Sequence, residues 1–248
     1  MIWKCISYAM VGTSHQMTGK GCEDVVLTSI CKDFSFLVLA DGAGFASMAQ
    51  EGAKIASKAC LRWLIKHKSE LFSKNESDLK YLLIKAVLSA LYRTALKKDV
   101  AVQELSSTLL FVATNGDNYI CGHIGDGVIG SCVEDECLAI SLPEKGEFAN
   151  NTFFTTSFER RKHLRMKRGT VGKIDGFFLM SDGSADCLFR ARTSDFAPAV
   201  LKFSQILRNT PSKDVAAIDS KLKDLMENHF KTLTNDDCSF IMLIWSKE

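Results

Sequence analysis

Five short acidic turns hold the residues that could do chemistry: Cys22-Glu23-Asp24, Asp41-Gly42-Ala43-Gly44, Gly125-Asp126-Gly127, Ser181-Asp182-Gly183 and Asn235-Asp236-Asp237. Three of them abut apolar runs that read as strands, at residues 36–40, 177–180 and 240–245. Aspartate is a poor strand former and a good turn residue. Placed at strand ends, several aspartates can gather on one rim of a sheet. Crowded carboxylates repel one another unless protons or cations neutralise them. Hard divalent cations such as magnesium and manganese take oxygen ligands of this kind. The chemistry open to this set is that of a carboxylate-lined metal centre.

The elements that must position these turns follow from periodicity. Residues 25–30 and 34–40 are rich in β-branched and aromatic side chains, with Lys32-Asp33 between them as a hairpin signal. Residues 5–11 read as a strand at the start of the chain. After the turn at Asp41, Ala53, Ala56, Cys60, Trp63, Leu64 and Leu71 recur at helical spacing. Ser77-Asp78 reads as the cap of a second long helix. Strands return over 108–113, 118–124, 127–133, 138–140 and 173–180, with Asn115-Gly116-Asp117-Asn118 as a hairpin turn. Helical patterns occupy 195–207 and 215–230, and a strand over 239–245 closes the chain. Tight turns between consecutive strands mean antiparallel pairing, and helices in blocks favour an α+β fold over a doubly wound one.

Bulk properties narrow the classes. The chain of 248 residues is 46% hydrophobic and 24% charged, with a formal net charge of +2. No global field therefore points to nucleic acid or a membrane as partner, and no apolar run approaches the ~20 residues that span a bilayer. The start of the chain does not read as a signal peptide. Nine cysteines, none in a C-x-x-C pair, read as buried reduced thiols, which makes the cytoplasm the expected location. Three prolines and no low-complexity tract leave 1–248 as one expected domain.

Taken in order, Gly12-Thr13-Ser14-His15, Cys22-Glu23-Asp24, Leu39-Ala40-Asp41-Gly42-Ala43-Gly44, Glu51-Gly52-Ala53, Ser106-Ser107-Thr108, Ile124-Gly125-Asp126-Gly127, Gly146-Glu147-Phe148-Ala149-Asn150, Ser181-Asp182-Gly183 and Thr234-Asn235-Asp236-Asp237 resemble the metal-dependent protein phosphatases of the 2C family, closest to its compact bacterial branch. The resemblance spans essentially the whole chain. It implies a four-layer α-β-β-α sandwich, two antiparallel sheets flanked by helix pairs. It implies hydrolysis of phosphoserine and phosphothreonine monoesters by a water held between two Mn2+ or Mg2+ ions. Asp41 would bridge the ions and Gly42 would offer its carbonyl to one of them. Asp24 would face the second ion, with Glu23 reaching it directly or through water. Asp182 and Asp236 would complete the first ion's shell, and Asp126 matches the aspartate that can hold a third ion. Asp237 would support these ligands. The implied partners are phosphorylated protein substrates and a cognate kinase, with no nucleic acid, no membrane and a monomeric state.

Two positions depart from the family pattern. Ala43 stands where many relatives carry the histidine that protonates the leaving oxygen. Gly19 stands where many place a phosphate-holding arginine, leaving His15 and Lys20 as loose substitutes for phosphate binding. The bacterial branch shares both traits. On residue type alone, Asp126 could simply form its hairpin turn, and His15 and His123 read first as structural. The basic run 160–168 reads as a solvated loop or helix, with a flap that attracts acidic phosphopeptides as the functional alternative. A low-activity phosphoprotein-binding or partner-switching module is the rival function. Another two-metal hydrolase, such as a nuclease, is disfavoured by the lack of a basic groove signal.

Overall fold

The computed structural model describes residues 2–144 and 152–246. The motif at 146–150 lies outside the described residues. In chain order the strands and helices are β1 (Ile2–Met10), α1 (Thr13–Thr18), β2 (Val25–Ile30), β3 (Ser35–Ala40), α2 (Ala49–Lys66) and α3 (Glu76–Lys98). There follow β4 (Leu109–Thr114), β5 (Asn118–Ile124), β6 (Val128–Val133), β7 (Glu136–Ser141), α4 (Arg160–His163), β8 (Arg165–Thr170) and β9 (Ile174–Met180). The chain continues with α5 (Asp182–Leu188), β10 (Phe189–Arg190), β11 (Asp195–Phe196), α6 (Pro198–Asn209), α7 (Val215–His229) and β12 (Cys238–Ser246). Among the described residues the strands form two five-stranded antiparallel sheets and one two-stranded ribbon, so the fold is α+β with helix pairs, as the resemblance implies.

The chain divides into two compact units, one comprising Glu23–Asp126 and Pro143–Val171, the other the remainder. In the first, the sheet order is β2-β3-β4-β5-β8. β3 is buried along its whole length, as its unbroken apolar run predicts. Phe36, Val38, Leu109 and Phe111 of this sheet share one core with Ala53, Ala56, Cys60 and Leu64 of α2 and Leu79, Leu83, Val87 and Leu91 of α3. These are the three- and four-residue repeats seen in the sequence. The cap of α3 is Asn75, whose side chain accepts the Ser77 amide at 2.8 Å, two residues ahead of the expected Ser77-Asp78.

In the second unit the order is β1-β12-β9-β6-β7. Ile6, Val128, Phe178, Phe240 and Met242 meet Val200 and Leu207 of α6 and Ile218 and Leu222 of α7 in one core. The expected helix over 195–207 begins instead at Pro198, because the ring of proline presets the first helical turn while Asp195 and Phe196 pair with β10.

A larger correction concerns the basic run. It is neither loop nor continuous helix: Arg160–His163 forms a single turn of helix, and Arg165–Thr170 pairs with β5 as an edge strand. Charged side chains on an edge strand discourage pairing with further chains. Among the described residues no helix is long and apolar enough to cross a membrane.

Candidate active site

Each unit brings part of the acidic set to one end of its own sheet. In the unit built on β2-β3-β4-β5-β8, Val25 pairs with Ala40, so Asp24 and Asp41 leave that ladder at the same end. The Gly42 amide donates to the Glu23 carbonyl at 3.2 Å and extends the pairing past the strands. Thr108, the residue just before β4, fixes Asp41. Its amide donates to the Asp41 carbonyl at 2.8 Å, and its hydroxyl accepts the Asp41 amide at 2.9 Å. Leu109 pairs with Ile124, which places the turn after β5 beside Thr108. There Gly125 has φ 119°, and a Cβ on it would lie 2.6 Å from the Thr108 methyl, so only glycine fits.

The result is that Asp41 and Asp126 each offer a carboxylate oxygen within 4.8 Å of the other. Both residues are half-buried, while Glu23 and Asp24 are only 6% and 5% exposed. The Thr152 hydroxyl donates to Asp126. Two carboxylates this close are unfavourable as bare anions and well suited to share a cation.

In the other unit, Ser181 and Ser239 tie β9 to β12. The Ser181 amide donates to the Ser239 carbonyl at 3.1 Å, and the Ser239 amide donates to the Ser181 hydroxyl at 2.9 Å. Asp182 opens α5 directly after this clasp and accepts the Gly183 amide at 2.7 Å. Asp236 precedes β12 and accepts the Asp237 amide at 2.8 Å. A Cβ added to Gly183 would sit 2.2 Å from the Asp237 carbonyl oxygen and 3.3 Å from the Asp236 Cβ, so the two acidic turns are in close backbone contact. Asp236 is exposed as a residue, yet loss of hydration around its carboxyl raises that group's pKa, and the charges of Asp237 and Asp186 add to the rise. The Asp237 amide and His15 oppose it. Such a carboxylate gains from a cation.

Asp237 is buried and turned to a different task. It accepts the Gly12 amide at 2.6 Å and faces His15 Nδ1 at 3.0 Å. Asp237 thereby ties His15 and the N-terminal end of α1 to the turn before β12. Lys20 is exposed after that helix, its amide donating to the His15 carbonyl at 2.9 Å. His123 is fully buried in β5, where burial pushes its pKa well below the ordinary histidine value, with the Arg165 charge adding to the effect. It is a neutral core residue. In the basic run, Arg161 lies over the Tyr81 ring at 5.3 Å, and Arg160 Nη1 donates to the Ser157 carbonyl at 2.8 Å. Lys162 pairs with Glu159. Ala43, the position without a histidine, is 3% exposed and packs with Ala46, Ala49 and Phe154.

Residue type gave no sign of the supporting roles of Thr108 and Thr152. Thr108 sits in the Ser106-Ser107-Thr108 motif, but only strand register shows that it holds Asp41.

Residues 11–227 match the sequence model of the family described as protein phosphatase 2C, a span that includes Asp24, Asp41, Asp126 and Asp182 and ends before Asp236. The chain is 23% identical, over the whole of both proteins, to the serine/threonine-protein phosphatase 3 of Escherichia coli strain K12. Among solved structures it resembles a bacterial serine phosphatase, with a TM-score of 0.69, 14% identity and full coverage of both chains. It also resembles RsbX in complex with magnesium, with a TM-score of 0.57 and 14% identity over 98% of this chain and 94% of that one. With a match that runs through most of its length, the chain belongs to the protein phosphatase 2C family and is a protein-serine/threonine phosphatase.

Proposed function

We propose that this phosphatase is metal-dependent, with Asp24, Asp41, Asp182 and Asp236 as its metal-binding residues and two Mn2+ or Mg2+ ions as the resident cofactors. Gly42 contributes its carbonyl, Glu23 acts directly or through water, and Asp126 serves a third ion. The observation that carries the reading is the approach of Asp41 and Asp126 to within 4.8 Å. Paired carboxylates are unfavourable without a counter-charge, and oxygen donors of this type suit hard divalent ions. When bound, such ions supply Lewis acidity, acidifying water and offsetting charge on the phosphoryl group. The chain's own contribution is placement: Thr108 fixes the backbone of Asp41, and Thr152 restrains the carboxylate of Asp126. His15, held by Asp237, and Lys20 are the proposed phosphate contacts.

The whole of 1–248 serves as one catalytic domain in this reading. The family match draws on segments of both compact units, and the relative from Escherichia coli is covered end to end. A second reading, a low-turnover partner-switching module on the same fold, draws on Ala43 at the position where an acid is expected.

Hydrolysis of an aryl phosphate and of a phosphoserine peptide, after chelation and after return of Mn2+ or Mg2+, tests the proposal. The expected result is turnover of both substrates that depends on added metal and is lost in Asp41→Asn. Metal-independent turnover would overturn the mechanism, and peptide binding without turnover would favour the second reading.

A further inference from the structure

Cys132 and Cys137 are directly opposed residues of the β6–β7 hairpin, and their Sγ atoms lie 3.8 Å apart. We propose that this thiol pair is a redox modification site, at which a hydroperoxide converts Cys132 and Cys137 to an intramolecular disulfide.

Three features support it. Opposed residues of an antiparallel pair have Cα atoms about 4.5–5.5 Å apart, inside the range that a disulfide spans. The sulfurs, 3.8 Å apart, are already in van der Waals contact, a short step from the ~2.05 Å bond. The hairpin is also held in place. The Glu134 amide donates to Asp175 at 2.7 Å, the Glu134 carbonyl accepts from Arg208 at 3.1 Å, and Asp135 accepts from Gln205 at 3.0 Å. Held neighbours react as one unit, with a large gain in effective concentration.

Access favours Cys137 as the first to react. It is half-buried and lines a cavity of about 630 Å³, together with Leu138, Thr193, Ser194, Pro198 and Leu201, whereas Cys132 is fully buried. The sulfur–sulfur contact with Cys132 lowers the Cys137 pKa against the opposing effect of burial, and the same contact raises that of Cys132, with burial adding to the rise. The thiolate form is the nucleophile, and both access and this direction favour Cys137 as the sulfur that attacks first.

The steps balance. Cys137 sulfur attacks the terminal oxygen of the hydroperoxide, the O–O bond breaks, the alkoxide leaves as alcohol with the thiol proton, and Cys137 becomes a sulfenic acid. Cys132 sulfur then attacks Cys137 sulfur, the S–O bond breaks, and the hydroxide departs with the Cys132 proton as water. Two thiols are oxidised by two electrons, and one hydroperoxide is reduced to alcohol and water. Thiol exchange with a small dithiol reverses the change.

The test treats the full chain with hydrogen peroxide, alkylates free thiols, cleaves after glutamate and identifies the peptides by mass spectrometry. Glu134 and Glu136 separate the two cysteines, so a disulfide appears as two joined peptides. The expected result in the wild type is that joined pair, with loss of alkylation at both positions and its return after dithiothreitol. In Cys132→Ser the expected result is a dimedone adduct on Cys137. Full alkylation of Cys132 and Cys137 under conditions that oxidise the exposed Cys31 would overturn the proposal, as would a disulfide joining Cys137 to any other cysteine.

Discussion

Replacing Gly183 with alanine probes whether the turns carrying Asp182 and Asp236 must stay in contact. The new Cβ would stand 2.2 Å from the Asp237 carbonyl oxygen, about 1 Å inside an ordinary carbon–oxygen contact of ~3.3 Å. The obstructing atom is backbone, so no side chain can swing aside. The start of α5 and the approach to β12 must part by about that amount. Overpacking of this kind costs about 1–3 kcal/mol, offset in part by the ~0.5–1 kcal/mol that alanine gains over glycine in a helix. For a chain of this size a net loss of ~1–2 kcal/mol lowers Tm by roughly 2–8 °C, so the variant is still folded at 25 °C. A displacement of about 1 Å in a catalytic array can cost roughly 10²-fold in rate. The expected outcome is a modest drop in Tm by calorimetry, a drop of about 10²-fold in kcat/KM on an aryl phosphate, and a raised Mn2+ requirement. Gly44→Ala is the control, since a Cβ there meets nothing within 4 Å although it lies in the Asp41 turn. If Gly183→Ala keeps wild-type Tm and turnover, the packed contact of the two turns is not what positions the carboxylates.

Thr108→Val removes the hydroxyl that accepts the Asp41 amide in a site only 2% exposed; it should cost about 1–3 kcal/mol in chemical denaturation and reduce turnover, and an unchanged midpoint would contradict the pinning of Asp41. Ala43→His should destabilise by about 1–3 kcal/mol without restoring an acid, because Ala43 packs with Ala46, Ala49 and Phe154; a stable variant with faster phosphopeptide turnover would show that the position is open to substrate. Tyr8 has its pKa pushed up to about 12, first by burial and then by its hydrogen bond to Glu227 and that carboxylate's charge. Its contribution to stability is present below pH ~10 and is lost as pH rises towards 12; Tyr8→Phe should flatten that part of the pH–Tm curve, and identical curves would refute the link.

The strands that periodicity located best are those bounded by strong turns. β2 and β5 begin and end where the sequence reading placed them, because Lys32-Asp33 and Asn115–Asn118 leave little freedom at their ends. β8 was hidden: of its residues only Met166 is buried, so no alternation marks it, and its place is set by pairing with β5. The helices α1 and α5, of six and seven residues, are too short to show a 3.6-residue repeat. The acidic turns were legible as motifs because aspartate and glycine are constrained there. The closeness of Asp41 and Asp126 was not, since it depends on the β4–β5 register and on the bond of Asp41 to Thr108. Cys132 and Cys137 likewise became neighbours only through a two-residue hairpin turn.

Calorimetric titration of Mn2+ into the chelator-treated protein, for the wild type beside Asp41→Asn and Asp182→Asn, bears on the carboxylates directly and needs no substrate. Saturable binding to the wild type is expected, with loss of at least one site in each variant and folding unchanged by circular dichroism. Equal binding by all three proteins would contradict it.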